Sequence, residues 1–320
     1  MSEAHIEKTP LEHTVERLAP SVVSVKIFKE VKGLLDPKNP ERTQESHWVP
    51  SAEGSGFFVS KDGMIVTNRH VVSDGSPDEA LVVQLDSKKK LTAEVFYIDP
   101  VRDFALLKVA GNDHPPLVIG DSDKVKRGAT ITIAGNPLGI GGSFSQGTVT
   151  SVPDNHEQIS FKTDADIRSG SSGGVMFNAK DEVIGINTFA HLDSTGSIGG
   201  AIPINEVKLI IQHPRVFQGI QVLFRKIQEE KILQEDTEHP LTLKESFDAA
   251  LEGLERLFKQ ELPLQGREDS VKAIMNDAAV QYYLRDLLKS ARSSKYREVL
   301  EKKFGVSFFL TPASKKETVE

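Results

Sequence analysis

The sequence predicts an all-β double six-stranded barrel followed by a mostly α-helical C-terminal region. Three observations predict it. Short β-branched and aromatic segments recur from about residue 20 to 204, clusters of Gly, Pro, Asn and Asp separate them, and the pattern turns to helical spacing beyond about Asn205.

In the first territory SVVSVKIF, GFFVS, MIVTNRHVV, LVVQL, TAEVFYI and FALLKV precede GNDHPPLV (Gly111 to Val118), and ATITIAG, GTVTSV, QISFKT, VIGINTF and AIPI follow it. That segment divides the strands into two similar sets, six and five, and two antiparallel barrels of six strands are the closest architecture. No repeat of roughly 20–50 residues is visible, which argues against a propeller or a solenoid. Beyond it, Gln221 to Ile232 leads into TLKESFDAALEGLERLF, where Leu243, Phe247, Ala250, Leu251, Leu254 and Phe258 keep helical spacing and Thr242 with Glu245 makes a capping box. A second helical stretch is expected over about Glu268 to Ala291. A third covers Lys295 to Phe304 and stops at Gly305, and the tail TPASKKETVE reads as frayed. The expected organisation is an N-terminal segment over 1–19, a β body over 20–212 split near 111–118, and a helical region over 213–320.

Composition bounds the function. A chain of 320 residues with 38% apolar and 27% charged residues fits a soluble globular protein of about two domains. No stretch approaches the ~18 apolar residues of a membrane span. The net charge of −7 gives no reason to expect nucleic acid as a partner. The absence of cysteine removes disulfide scaffolds, thiolate metal sites and a cysteine nucleophile. The N-terminus, MSEAHIEKTPLEHTVERLAP, has neither a basic n-region nor an apolar h-region, so the expected location is cytoplasmic, and periplasmic only if a signal has been removed. The nine histidines are scattered without an HExxH pattern or a phosphate-loop motif beside them, so no metal and no cofactor is expected.

Three segments hold the chemistry. TNRHVV puts His70 at a strand end, DPVRDFALLKV puts Asp103 just before a strand, and TDADIRSGSSGGVMFN puts Ser172 in a Gly-rich turn. A serine hydroxyl attacks a carbonyl only when an imidazole takes its proton, and a carboxylate must fix that imidazole's tautomer. Backbone N–H groups must also face the developing oxyanion, and the turn from Gly170 to Gly174 can expose them. Taken singly, each feature has a plainer reading: a structural histidine, a turn-capping aspartate, a flexible loop. Their chain order, His then Asp then Ser, with the first two in one barrel and the third in the other, is what joins them.

These segments resemble trypsin-like serine proteases, and most closely the HtrA (Deg) family. GSGFFVSKDGMIVTNRHVV is similar to that family's histidine segment, DPVRDFALLKV to its aspartate segment, and TDADIRSGSSGGVMFNAKDEVIGINT to its serine segment. AGNPLGIGGSFSQGTVTSV and GGAIPI are similar to flanking strands of its second barrel. The resemblance implies a chymotrypsin/trypsin-like fold, with His70 as general base, Asp103 as its orienting partner and Ser172 as nucleophile. It implies an oxyanion hole from the amides of Gly170 and Ser172 with Ser171 beside them, and a substrate-lining strand at Ile186, Asn187 and Thr188. Asp166, six residues before Ser172, stands where a trypsin-like enzyme has its S1 floor. There it would select Arg or Lys, whereas the family prefers aliphatic P1 residues, and pairing with Arg168 is the alternative. The expected partners are protein or peptide substrates, as in protein quality control, and the family's trimers allow a homo-oligomer.

Departures qualify the resemblance. Arg168-Ser169-Gly170-Ser171 replaces the family's Asn-Pro-Gly-Asn, the loop Pro153 to Gln158 is short, and helices stand where the family carries PDZ domains. An inactive protease fold serving as a chaperone-like or partner-binding module through its helical region is therefore the alternative to a serine endopeptidase.

Overall fold

The β-branched and aromatic runs of the first territory carry apolar surface that must be buried, and closing each sheet on itself buries it together. The computed structural model describes residues 8–31, 35–36, 39–43, 46–72, 79–86, 88–136, 142–153, 160–168, 170–193, 196–235, 243–288 and 294–304. In chain order the first barrel holds β1 (Val22–Val31), a small hairpin of β2 (Leu35–Asp36) and β3 (Asn39–Thr43), then β4 (His47–Phe58), β5 (Met64–Thr67), β6 (Glu79–Gln84), β7 (Lys90–Ile98) and β8 (Ala105–Val109). Its strands close antiparallel in the order β1-β4-β5-β8-β7-β6, with β1 bonded to both β4 and β6. Val23, Val25, Phe58, Ile65, Val83 and Leu107 fill its interior without measurable exposure.

The second barrel holds β9 (Thr130–Gly135), β10 (Ser143–Ser151), β11 (Phe161–Thr163), β12 (Val175–Phe177), β13 (Val183–Asp193) and β14 (Gly196–Pro203). It closes as β10-β11-β14-β13-β12-β9 around Ile131, Ile133, Val149, Phe161, Met176, Ile184 and Ala201. The fold is therefore the expected pair of six-stranded antiparallel barrels, and β9 of the second packs against β1 and β4 of the first.

Helix α1 (Pro10–Leu18) precedes the barrels. Thr9 and Glu12 cap it reciprocally, and Thr14 and Arg17 fasten it to Asp181 of the second barrel. Helix α2 (Asn205–Gln212) ends this unit, which spans Met1–Gln212.

A second compact unit, His213–Glu320, carries α3 (Pro214–Glu235), α4 (Leu243–Glu261), α5 (Arg267–Met275), α6 (Ala278–Leu288) and α7 (Ser294–Phe304). Phe247, Ala250, Leu254 and Phe258 form the buried stripe of α4 that their spacing predicts. The stretch expected as one helix from Glu268 is instead two. Asn276 ends α5, and the carboxylate of Asp277 accepts the Ala279 amide at 2.9 Å to cap α6, so a competing side-chain acceptor breaks the helix. Thr242, Ser169, Gly305, most of the 153–158 loop and the last ten residues lie outside the described residues.

Leu107→Ala removes a fully buried side chain from the first barrel and should cost about 2–5 kcal/mol. Val118→Ala, at a position 65% exposed, should change stability by less than about 0.5 kcal/mol. Urea unfolding followed by far-UV circular dichroism checks the contrast.

Candidate active site

Strand β5 is wholly buried, and the chain leaves it through Asn68 into a single 3-10 turn, Arg69–Val71, that lifts His70 to the surface. Opposite it, the loop before β8 is knotted by Asp99. This buried carboxylate accepts the amides of Val101 and Arg102 at 2.9 and 2.8 Å and pairs with the Arg102 guanidinium at 2.7 Å. Arg69 donates to the carbonyls of Asp99 and Pro100, and Asn68 Nδ2 donates to the Asp103 carbonyl at 2.8 Å. The two segments are thus stitched together by side chains that flank the candidates.

The result is a tight pair. His70 Nδ1 lies 2.7 Å from Asp103 Oδ2, and the His70 amide donates to Oδ1 at 3.0 Å. A third donor comes from the second barrel, the Thr188 hydroxyl at 2.8 Å from Oδ2. Thr188 is the extra residue of a β-bulge, since Asn187 pairs with Ala201 and Phe189 with Gly200, so it is released from the ladder. Its carbonyl accepts the Ser172 hydroxyl at 3.3 Å. His70 and Asp103 are joined directly, and Ser172 is linked to them through Thr188.

Ser172 occupies a turn whose shape glycines permit. Gly170 and Gly173 sit at φ +83 and +82, and a Cβ on Gly173 would lie 2.2 Å from the Ser55 carbonyl oxygen. The Ser171 amide donates to the Arg168 carbonyl at 3.0 Å and the Gly174 amide to the Ser171 carbonyl at 2.9 Å. Among the described residues, the amides of Gly170 and Ser172 donate to nothing. Ser171 is 4% exposed, whereas Ser172 is partly open.

The remaining candidates are more scattered. Asp166 is half-exposed and its carboxylate accepts from Arg168 Nε at 2.7 Å, while Ile167 between them is buried. Ile186 and Asn187 are fully buried, and Asn187 Nδ2 donates to the carbonyls of Ala134 and Val175. Sequence reasoning missed Ser55, Asn68 and Asp99. Asp99 had a signal, an Asp-Pro pair opening a turn. Ser55 and Asn68 had none, because their partners lie far along the chain.

Burial works to raise the Asp103 carboxyl, but hydrogen bonds from the His70 side chain and amide and from Thr188 outweigh it and hold the group below its ordinary value. The hydrogen bond that His70 donates to the Asp103 carboxylate raises the His70 pKa above its ordinary 6.5, against a smaller opposing effect of burial. The His70 contribution to stability is therefore complete below about pH 6.5 and fades as pH rises through the raised value. The Asp103 contribution is present above its ordinary 3.8 and is lost as pH falls through the lowered value.

This architecture defines a class. Residues 54–186 match the trypsin-like peptidase domain, and the matched range takes in His70, Asp103 and Ser172. Relatives and a solved structure extend the likeness. A probable periplasmic DegP-like serine endoprotease of Pseudomonas fluorescens is 36% identical over 182 residues, 54% of this chain and 37% of its own. A protein of the same description from Brucella suis is 31% identical over 245 residues, 62% of this chain and 47% of its own. The solved HtrA-type protease AlgW with decapeptide superposes with a TM-score of 0.54 at 27% identity, over 64% of this chain and 67% of that one. The chain is similar to HtrA-type and DegP-like serine proteases, and it spans less than half the length of these two curated relatives. Their names place them in the periplasm, which overturns the cytoplasmic location expected from the N-terminal residues.

Replacing Asp103 with Asn in a Ser172→Ala background should lower the His70 titration midpoint toward 6.5, because the accepting carboxylate is gone. Titration of the imidazole protons by NMR reads the shift directly.

Proposed function

We propose that the chain is a serine endopeptidase acting on protein or peptide substrates. The observation that carries this is the 2.7 Å contact of His70 Nδ1 with Asp103, which leaves Nε2 as the base. In this reading Nε2 takes the Ser172 proton as Oγ attacks the scissile carbonyl. The oxyanion settles on the amides of Gly170 and Ser172, since the Ser171 amide is already engaged with Arg168. The protonated imidazole then gives its proton to the leaving amine, and water hydrolyses the acyl-enzyme by the same route. Asp103 keeps the carboxylate form throughout, favoured by its three donors.

The Arg168 contact of Asp166 and the burial of Ile167 favour aliphatic over basic P1 residues. For the protein as a whole, the helical unit is a candidate for handling substrates or partners. A latent site is the second reading, favoured by the Ser172 hydroxyl donating to Thr188 instead of to His70.

Ser172→Ala should abolish casein cleavage and fluorophosphonate labelling, with a fall in kcat on the order of 10⁶-fold. Wild-type cuts mapped by mass spectrometry should follow aliphatic residues, and cuts after Arg or Lys would reject that preference. Because only neutral His70 can accept a proton, kcat/KM should rise with pH through a midpoint above 6.5. A wild type that neither labels nor cleaves would favour the latent reading.

A further inference from the structure

Ser55 lies in β4 of the first barrel, is fully buried, and is 115 positions from Gly170 of the Ser172 turn. Each of its hydrogen-bonding groups is nonetheless engaged at the Ser172 turn or beside it. Its hydroxyl donates to the Gly170 carbonyl at 2.7 Å and accepts the Asn136 amide at 2.8 Å. Its amide donates to the Ser172 carbonyl at 2.8 Å, and its carbonyl accepts the Thr67 hydroxyl at 2.7 Å.

These bonds constrain the peptide groups that flank the Ser172 amide. The peptide between Gly170 and Ser171 is held at both ends, its carbonyl by Ser55 and its amide by Arg168. The next peptide is held through its carbonyl by Gly174, which turns the Ser172 amide the other way. A flip of the first peptide would break the Ser55 bond inside a buried site, where a lost partner is costly. The chain packs too closely for a replacement to slip in, since a Cβ on Gly54 would lie 2.9 Å from the Ser172 carbonyl oxygen and one on Gly135 would lie 3.1 Å from the Ser55 hydroxyl.

We propose that Ser55 is a positioning residue: from the first barrel it locks the Gly170–Ser172 turn of the second in the orientation that presents the Gly170 and Ser172 amides to an oxyanion. The catalytic part rests on the reading of Ser172 as nucleophile, while the locking does not.

Ser55→Ala and the control Ser51→Ala, which also loses a hydroxyl-to-carbonyl bond (Ser51 to Ile27, 3.3 Å), would be compared with wild type as full chains. Amide hydrogen exchange by mass spectrometry reports the turn, and kcat and KM on a peptide substrate report catalysis. Ser55→Ala should speed exchange in peptides covering 170–174 while leaving those of the first-barrel core unchanged. It should also lower kcat by about 10–100-fold with KM within about 2-fold, short of the full loss of an oxyanion donor. Ser51→Ala should move neither. Should Ser55→Ala fail to fold, Ser55→Cys keeps a side chain there with a weaker donor and is held to the same outcomes. Unchanged exchange at the turn overturns the proposal, as does acceleration throughout both barrels, and an unchanged kcat overturns its catalytic part. Faster exchange confined to the turn in a protein whose wild type takes no fluorophosphonate label would remove the nucleophile reading and leave the locking role standing.

Discussion

Ser55 and Asp103 belong to the first barrel, yet groups of the second complete their hydrogen bonding. Gly170, Ser172 and Asn136 meet Ser55, and Thr188 meets Asp103. Buried polar groups demand partners, and here each barrel supplies what the other lacks. Closure of each sheet fixes where these groups stand, so the relative placement of the barrels sets the spacing between His70 and the Ser172 turn.

The electrostatics follow from that placement. Asp103 is partly buried, which by itself disfavours its charge, and three hydrogen bonds restore it. One of the three exists only because a bulge frees Thr188 from the β13–β14 ladder. The same bulge leaves the Thr188 carbonyl open to Ser172. A single irregularity therefore serves Asp103 and Ser172 together.

The helical unit is built on different physics. Its α3 and α4 approach closely because Gly219 faces Leu257 and Gly253 faces Leu223, where a Cβ would come within 2.7 Å of a leucine methyl. Phe224 stacks on Tyr283 with centroids 5.6 Å apart, which adds α6 to the pair.

Much of this protein is legible along the chain. β-branched runs, turn clusters and the heptad-like stripe of α4 are short-range signals, so the two barrels and the helical region were readable from spacing alone. His70, Asp103 and Ser172 stood out through their chain order and through the resemblance of their segments to one protease family. The break at Asn276–Asp277 was not readable, since an Asp caps a helix or rides on one according to small differences in local energy. Nor was the fate of Ile186 and Asn187, whose exposure depends on which face β13 turns inward, nor that of Asp166 in the loop after β11. Ser55 is the clearest case. It is a small residue in an ordinary strand, and only the approach of Gly170, Ser172 and Asn136, roughly 80–117 positions away, gives it a role. Local chemistry is written in the order of residues, whereas cross-barrel hydrogen bonding is decided only when two closed sheets meet.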